Sequence, residues 1–121
     1  MSYDDNNIFA KILREEIPCK RIYEDEYILS FYDINPQKKI HALVIPKGKY
    51  VDLDDLNTRA SDKEIIGLIK GISIVAKKLG ISLDSGKGYR TLSNLSEHGG
   101  QEVPHLHFHL FGGEKIGKMV Q

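Results

Sequence analysis

The segment formed by residues 61–79 limits the possible folds more than any other, because its apolar side chains fall on one broad face of a helix. Ser61 and Glu64 form the S-x-x-E pattern that caps a helix start, and Gly80 stands where a left-handed residue commonly ends a helix. The apolar face contains Ile65, Leu68, Ile69, Ile72, Val75, Ala76 and Leu79. A face this wide must be covered by a sheet or by a partner chain.

The rest of the chain predicts one further helix and several strands. Asn6 or Asn7 can cap a helix whose apolar residues repeat at helical spacing until Ile17-Pro18. Segments rich in β-branched or aromatic residues predict strands at residues 27–33, 40–45, 89–94 and 106–111, with loops at 54–62, 84–88 and 96–100. We therefore expect an α+β protein with two helices on one face of a mostly antiparallel sheet, in which the first two strands are neighbours.

Composition narrows the classes of function. A length of 121 residues predicts one domain over residues 1–121. The 17 Lys and Arg residues balance 17 Asp and Glu residues, so there is no basic excess of the kind that nucleic-acid binding usually shows. The sequence has no apolar run of about 18 residues and its N-terminus is polar and acidic, so we expect a cytoplasmic protein without a membrane span. The single cysteine, Cys19, excludes an internal disulfide.

Three of the five histidines alternate with apolar residues in one short segment. On a strand, successive side chains point to opposite faces, so one face would carry His105, His107 and His109, and the other Leu106, Phe108 and Leu110. At about 3.3 Å per residue, neighbouring histidines would lie about 6.6 Å apart and the outer two about 13 Å apart. The pattern predicts a row of imidazoles on one face and an apolar face turned to the core.

Three interpretations fit this row. The first is an exposed strand face that happens to be rich in histidine. The second is a zinc site, but the outer pair is too far apart to share one ion, so a metal would need two of these histidines with His41 or a carboxylate. The third is a nucleophile with supporting histidines, because neutral imidazole is nucleophilic at physiological pH and a second imidazole can protonate a leaving group.

The residues that precede the row favour the third interpretation. The amides of Asn94 and Gln101 are neutral hydrogen-bond donors suited to phosphate oxygens. Gly99 and Gly100 let the backbone approach a phosphate closely. Alone, this glycine pair is more typical of a plain turn, and only its position beside the histidines indicates a phosphate site.

Residues 105–111 resemble the His-φ-His-φ-His-φ-φ signature of the histidine triad superfamily, in which φ is apolar. The resemblance to its Hint branch, the purine nucleoside phosphoramidases, covers nearly the whole chain. It rests on further segments: Ile8-Phe9-Ala10-Lys11-Ile12, Ile17-Pro18, Phe31-Tyr32-Asp33-Ile34-Asn35-Pro36, His41-Ala42-Leu43-Val44-Ile45-Pro46-Lys47 and Gly99-Gly100-Gln101. This resemblance implies a HIT-like fold, with a mostly antiparallel five-stranded sheet and two helices, whose sheet continues across a homodimer.

The resemblance also implies a role for each site residue. His107 attacks the α-phosphate and forms a nucleotidyl-histidine that water hydrolyses, His109 contacts the phosphate or the leaving group, and His105 and His41 orient the row. Asp33 holds the ribose hydroxyls. The other implied nucleotide-binding residues are Ile8, Phe9, Ile12, Ile17, Phe31, Ile34 and Leu43 around the nucleoside, and Asn94, Gly100, Gln101, Glu102 and Val103 near the phosphate.

Two departures from the family pattern leave the leaving group open. Glu102 stands where some relatives carry a small hydroxyl residue that assists the leaving group, and an acid there can either donate a proton or repel a polyphosphate. The tail, residues 114–121, lacks the aromatic and proline residues of some relatives, whose tails reach the partner's site.

We therefore expect a hydrolase that binds the AMP or GMP moiety of a purine nucleotide and cleaves P–N, acyl or similar bonds at the α-phosphate of adenosine 5′-phosphoramidates. We expect a homodimer, and neither a cofactor nor a metal. The alternatives are a dinucleoside polyphosphate hydrolase, a non-catalytic nucleotide-binding scaffold and a zinc module. The third histidine, His109, stands where the related uridylyltransferases carry glutamine, which argues against nucleotidyl transfer.

Overall fold

The fold is built on one sheet of five strands: β1 Arg21–Glu24, β2 Ile28–Tyr32, β3 Ile40–Pro46, β4 Arg90–Leu92 and β5 Phe108–Gly112. In the computed structural model, which describes residues 2–121, the strand order is β1-β2-β3-β5-β4 and every neighbouring pair is antiparallel. The helices of the described residues are α1 Ile8–Leu13, α2 Leu53–Arg59, α3 Asp62–Lys78 and α4 Ser96–Gly99. This arrangement confirms the predicted α+β class and the antiparallel pairing of β2 with β3.

Helix α3 begins and ends as the sequence predicts. The Ser61 side chain accepts a hydrogen bond from the backbone N–H of Glu64, and the Glu64 carboxylate accepts one from the backbone N–H of Ser61. Gly80 follows the helix in the left-handed region, with φ of +72°. Gly71 lets the helix lie directly on β2, because a Cβ atom there would collide with the Ile28 side chain. The side chains that α3 buries in the core are Leu68, Ile72, Val75 and Ala76.

The helices α1 and α3 cover opposite faces of the sheet. Ala42 and Val44 of β3 pack in one cluster with α3, whereas Leu43 and Ile45 pack in a second cluster with α1. Because side chains alternate along a strand, these two clusters lie on the two faces. The prediction that both helices share one face is therefore wrong. Helix α1 lies on the same face as His41, which puts it over the histidine row.

Two predicted loops contain short helices. The predicted loop at residues 54–62 overlaps most of α2, in which the Asp52 side chain caps the start and Leu56 is 1% exposed. Leu56 is the one buried residue of α2, and most of its neighbours in the sequence are polar. Hydrophobic periodicity therefore did not predict this helix. Residues 96–100 include the single turn of α4, which ends at Gly100 in the left-handed region.

Other boundaries also differ from the prediction. Helix α1 ends at Leu13, well before Ile17-Pro18, because Glu15 takes a left-handed conformation with φ of +64°. Strand β1 was not predicted, because two charged residues flank two adjacent apolar ones in its sequence, Arg-Ile-Tyr-Glu, and so it lacks the alternation typical of a strand. Strand β5 begins at Phe108 rather than at residue 106. None of the helices within residues 2–121 has both the length and the apolar composition that crossing a bilayer requires.

Candidate active site

Four histidines meet on the sheet face that α1 covers. His41 lies on β3, where its Cα partner on β5 is Phe111, and His109 lies on β5 opposite Leu43. His105 and His107 precede β5, and His105 lies in a bend formed by residues 103–105. The imidazole centres of His107 and His109 are 5.1 Å apart, and those of His41 and His109 are 5.2 Å apart. The row that the sequence predicts therefore exists, and β3 extends it sideways by one histidine.

These imidazoles are buried rather than spread over an exposed face. His105 is 0% exposed, His41 2% and His107 5%. The Phe9 ring of α1 stands edge-on to His107, with ring centres 5.0 Å apart and planes at 80°. The interpretation of the row as an exposed histidine-rich face is wrong, because α1 and the chain before it cover most of the row.

Burial keeps the imidazoles neutral at physiological pH. Desolvation lowers the pKa of His105 to about 4, and the neighbouring His107 adds to the effect. Desolvation also lowers the pKa of His109 to about 4, again with help from adjacent imidazoles. The pKa values of His107 and His41 fall for the same main reason, although the Asp33 carboxylate opposes the fall at both. A neutral imidazole has one N–H and one lone pair, so hydrogen-bond partners reveal which nitrogen carries which.

The partners of His107 assign its proton to Nδ1. This nitrogen lies 2.7 Å from the carbonyl oxygen of His105, which can only accept. Nδ1 must therefore donate, and Nε2 of His107 holds a free lone pair. This is the tautomer that a nucleophile attacking through Nε2 requires.

The partners of His41 and His109 set the opposite tautomer. The backbone N–H of Gln37 donates to Nδ1 of His41 at 3.1 Å, so the proton of His41 is on Nε2. His41 Nε2 lies 2.9 Å from Nδ1 of His109 and 3.4 Å from a carboxylate oxygen of Asp33. Nδ1 of His109 accepts this proton, which leaves the N–H of His109 on Nε2. The row thus offers a lone pair on His107 and a hydrogen-bond donor on His109.

The family can now be assigned. The HIT domain family matches residues 14–116, a range that includes every histidine of the row. The chain belongs to the HIT family. This membership and the antiparallel five-stranded sheet confirm the HIT-like fold of the single chain that the sequence resemblance implies, whereas the continuation of the sheet across a homodimer stays a prediction.

Several relatives are similar over almost their full length. The chain is 53% identical over 119 residues to an uncharacterized 13.2 kDa HIT-like protein of Azospirillum brasilense, covering 98% of this chain and 95% of that protein. It is 38% identical over 117 residues to the purine nucleoside phosphoramidase of Escherichia coli strain K12, covering 96% and 94%. The solved structure of a HIT family hydrolase from Clostridium thermocellum matches with a TM-score of 0.86 at 36% identity, covering 98% and 99%.

The apolar residues assigned to the nucleoside separate into two groups in this HIT protein. Most of them share one cluster beside the histidine row: Phe9, Ile12, Ile17, Phe31 and Leu43. Val103, which the resemblance assigns to the phosphate, packs against the same cluster. Ile8 is 40% exposed and Ile34 is 82% exposed, so neither belongs to that cluster. Ile34 instead lines a cavity of about 690 Å³ together with Asp33 and His41. A cavity of this size falls within the range of small-molecule sites.

The loop before the histidines differs from its prediction. Both N–H groups of the Gln101 side chain are taken, by the carbonyl oxygens of Val51 at 2.6 Å and Val103 at 3.0 Å. The Asn94 amide nitrogen donates to the carbonyl oxygen of Gly99 at 2.6 Å. Gln101 therefore fixes the shape of the loop and has no side-chain donor left for a phosphate. Gly100 has φ of +74°, so its role in turning the chain after α4 is conformational.

Phe111 and Ser93 contact the histidines of the site and were not predicted as site residues. The Phe111 ring packs over His41 at 4.3 Å between centres and lies parallel to the His109 ring, with planes at 5°. The Ser93 hydroxyl donates to the carbonyl oxygen of His107 at 2.8 Å. The alternation that placed the histidines on one face also places Phe111 there, so that signal was available. Nothing in the sequence around Ser93 indicates its contact.

The hydrogen bonds around His41 argue against a metal centre in this site. Asp33, His41 and His109 each offer one ligand atom, and these atoms lie within 4.8 Å of one another. This is not the set that the spacing argument asks for, because only one histidine of the row, His109, joins His41 and a carboxylate, instead of two. A metal on Nε2 of His41 would also force the remaining proton onto Nδ1, against the N–H of Gln37. The arrangement fits a hydrogen-bond network better than an ion.

Proposed function

We propose that this HIT protein hydrolyses purine nucleoside phosphoramidates and related acyl nucleotides at the α-phosphate. The observation that carries the proposal is the pair of opposite tautomers, with a lone pair on Nε2 of His107 and an N–H on Nε2 of His109. A phosphoramidate needs both, because the nucleophile must be unprotonated while the leaving nitrogen must receive a proton. The similarity to a HIT family hydrolase and to a purine nucleoside phosphoramidase supports the same reaction class.

In the first step, Nε2 of His107 attacks the phosphorus and the P–N bond breaks. The Nε2 proton of His109 passes to the leaving nitrogen, which departs as an amine. His41 Nε2, 2.9 Å from Nδ1 of His109, keeps donating to the ring that has lost this proton. The His107 ring becomes cationic when it bonds to phosphorus, and the His105 carbonyl oxygen, 2.7 Å from Nδ1, stabilises the N–H that carries this charge. In the second step, water attacks the phosphorus and gives a proton to Nε2 of His109. The His107–phosphorus bond breaks, and a nucleoside monophosphate leaves with both imidazoles in their starting neutral state.

The nucleoside occupies the groove between α1 and the sheet in this proposal. The base packs on the apolar cluster around Phe9 and Phe31, and the Asp33 carboxylate accepts hydrogen bonds from the two ribose hydroxyls. Asp33 is partly exposed directly after β2 and lines the 690 Å³ cavity. Its Oδ1 accepts from the backbone N–H of Asn35 at 2.8 Å, and its Oδ2 lies 3.4 Å from Nε2 of His41. This pocket is proposed for AMP or GMP moieties alike, and the cytoplasmic location stays a prediction.

The test compares wild type, His107→Ala and His98→Ala on adenosine 5′-phosphoramidate and on diadenosine polyphosphate. His98 is an exposed histidine of α4, so its removal controls for the loss of an imidazole outside the row. We expect faster cleavage of the phosphoramidate by wild type and His98→Ala, loss of activity in His107→Ala, and a trapped nucleotidyl adduct in intact-protein mass spectra. Preferred cleavage of the polyphosphate would support the second candidate hydrolase. AMP binding without turnover of either compound would support a binding scaffold.

We also propose that the chain forms a homodimer through the outer side of α3. Ile66, Ile69 and Ile74 remain 52%, 53% and 40% exposed after α3 has packed on the sheet. Three exposed isoleucines on one helix suit a self-complementary contact around a two-fold axis. Sedimentation of wild type and Ile69→Lys tests this, with a dimer expected for wild type and a monomer for the variant.

A further inference from the structure

The N-terminal segment before α1 reaches the histidine row through Tyr3. The Tyr3 hydroxyl hydrogen-bonds Nδ1 of His105, and the two rings meet edge-on with centres 5.5 Å apart. The segment is tied down around this contact. The Asp5 carboxylate pairs with the Lys49 ammonium at 2.7 Å, and the Arg14 guanidinium donates to the Asp5 carbonyl oxygen at 2.8 Å.

The direction of the hydrogen bond from Tyr3 follows from the other side of the His105 ring. Nε2 of His105 lies 2.9 Å from the carbonyl oxygen of Pro46, so Nε2 carries the proton and donates. Nδ1 then holds the lone pair, and the Tyr3 hydroxyl must be the donor. Burial raises the pKa of the Tyr3 hydroxyl, so the hydroxyl keeps this proton at physiological pH.

His105 is therefore held at both ring nitrogens while it is completely buried. Its backbone carbonyl oxygen is the group that holds the proton of His107 on Nδ1. If the Tyr3 hydroxyl is removed, the lone pair of a fully buried imidazole loses the partner that the described residues supply. A buried polar group without a partner drives local rearrangement, through ring rotation or entry of water. Either change moves the carbonyl oxygen on which the His107 tautomer depends.

We propose that Tyr3 is a positioning residue for catalysis, which holds His105 so that the His105 carbonyl oxygen keeps the proton of His107 on Nδ1 and its lone pair on Nε2. The inference rests on the proposed function for its effect on turnover, but not for its effect on the tautomer. A general stabilising role would depend on the packing of the Tyr3 ring. In this proposal the Tyr3 hydroxyl controls the tautomer of the nucleophile His107, which lies two residues after His105.

The experiment compares Tyr3→Phe with Tyr23→Phe. Both variants lose a single tyrosine hydroxyl, but that of Tyr23 donates to the Asp25 carboxylate at 2.9 Å, and Tyr23 packs against the α3 side of the sheet. The tautomers of His105 and His107 are read from ¹⁵N–¹H correlation spectra of labelled protein. In wild type we expect Nε2–H on His105 and Nδ1–H on His107.

In Tyr3→Phe we expect most of the His107 population to carry its proton on Nε2. We also expect kcat to fall about tenfold, the size that follows when a buried hydrogen-bonding group loses its partner, with KM within about twofold of wild type. Tyr23→Phe should match wild type in both measurements. If His107 keeps Nδ1–H in Tyr3→Phe, the proposal is overturned, whether or not kcat falls. If no nucleotide is turned over by wild type, the proposed function fails while the spectra still decide the role of Tyr3.

Discussion

The buried histidines predict that the protein loses stability in mildly acidic solution, before its carboxylates titrate. Burial lowers the pKa of His105 from an ordinary 6.5 to about 4, and the side chain is 0% exposed. Below pH 6.5 the unfolded chain therefore binds a proton that the folded chain does not. Protons then favour the unfolded state, so the free energy of unfolding falls as the pH decreases from 6.5 toward 4.

The expected size of the effect follows from these two pKa values. Between pH 6.5 and pH 5, one group with a folded pKa of about 4 and an unfolded pKa of 6.5 removes about 1.5 kcal/mol of stability. That is a sizeable part of the 5–15 kcal/mol (roughly) that stabilises a typical domain. His41, His107 and His109 have lowered pKa values for the same main reason, so the loss in wild type should exceed that of one histidine.

Urea unfolding followed by circular dichroism at pH 6.5, 6.0, 5.5 and 5.0 measures the loss. His105→Gln should show a pH dependence smaller than that of wild type by about 1.5 kcal/mol over this range. His98→Gln, which removes an exposed histidine, serves as the matched control and should follow wild type. A stability of wild type that stays flat from pH 6.5 to 5.0 would refute the reasoning, as would equal slopes for wild type and His105→Gln.

Three further predictions concern single side chains. Ser61→Ala removes the cap of α3 and should lower the free energy of unfolding by about 1 kcal/mol in urea titrations, with no change in kcat; a loss in kcat would contradict this. Asp33→Asn should raise KM for ribonucleotides and reduce discrimination against 2′-deoxynucleotides, which steady-state assays on both substrates measure; unchanged discrimination would remove Asp33 from the ribose site. Glu102 opposes the lowering of the His107 pKa, so its carboxylate acts on the site. Glu102→Gln should therefore raise kcat/KM for diadenosine polyphosphate relative to the phosphoramidate, and an unchanged ratio would show that this charge does not select substrates.

The sequence predicts best those elements in which one face is apolar and the other is not. Helix α3 has a capping box, an apolar stripe and a terminal glycine that all indicate the same boundaries, and the structure confirms them. Helix α2 has only Leu56 as a fully buried residue, and β1 has no buried residue at all, so neither leaves a periodic signal. The face on which each helix lies depends on how the chain crosses the sheet, which local periodicity does not contain.

In the candidate site as well, local sequence patterns were predictable and tertiary contacts were not. Strand alternation predicts that His105, His107 and His109 share a face, and it also includes Phe111 when carried two residues further. Contacts between distant parts of the chain are not predictable in this way. The bond from Tyr3 to His105 joins residues that are 102 positions apart, and Gln101 uses its amide on Val51 rather than on a ligand. Such partners depend on the packed tertiary structure.

The pairing of β3 with β5 also governs which changes in chain length this protein can accept. His109 lies on the sheet face that α1 covers while Leu110 faces α3, so a deletion of one residue at the start of β5 would exchange the two environments. Imidazoles would enter the apolar core, and a leucine would replace His109, the proposed proton donor. A substitution in β5 changes one side chain, whereas an insertion or deletion of one residue moves every shifted side chain of the strand to the opposite face. The exposed loop at residues 83–88 carries no such restriction, so variation in length among descendants of this chain should accumulate there.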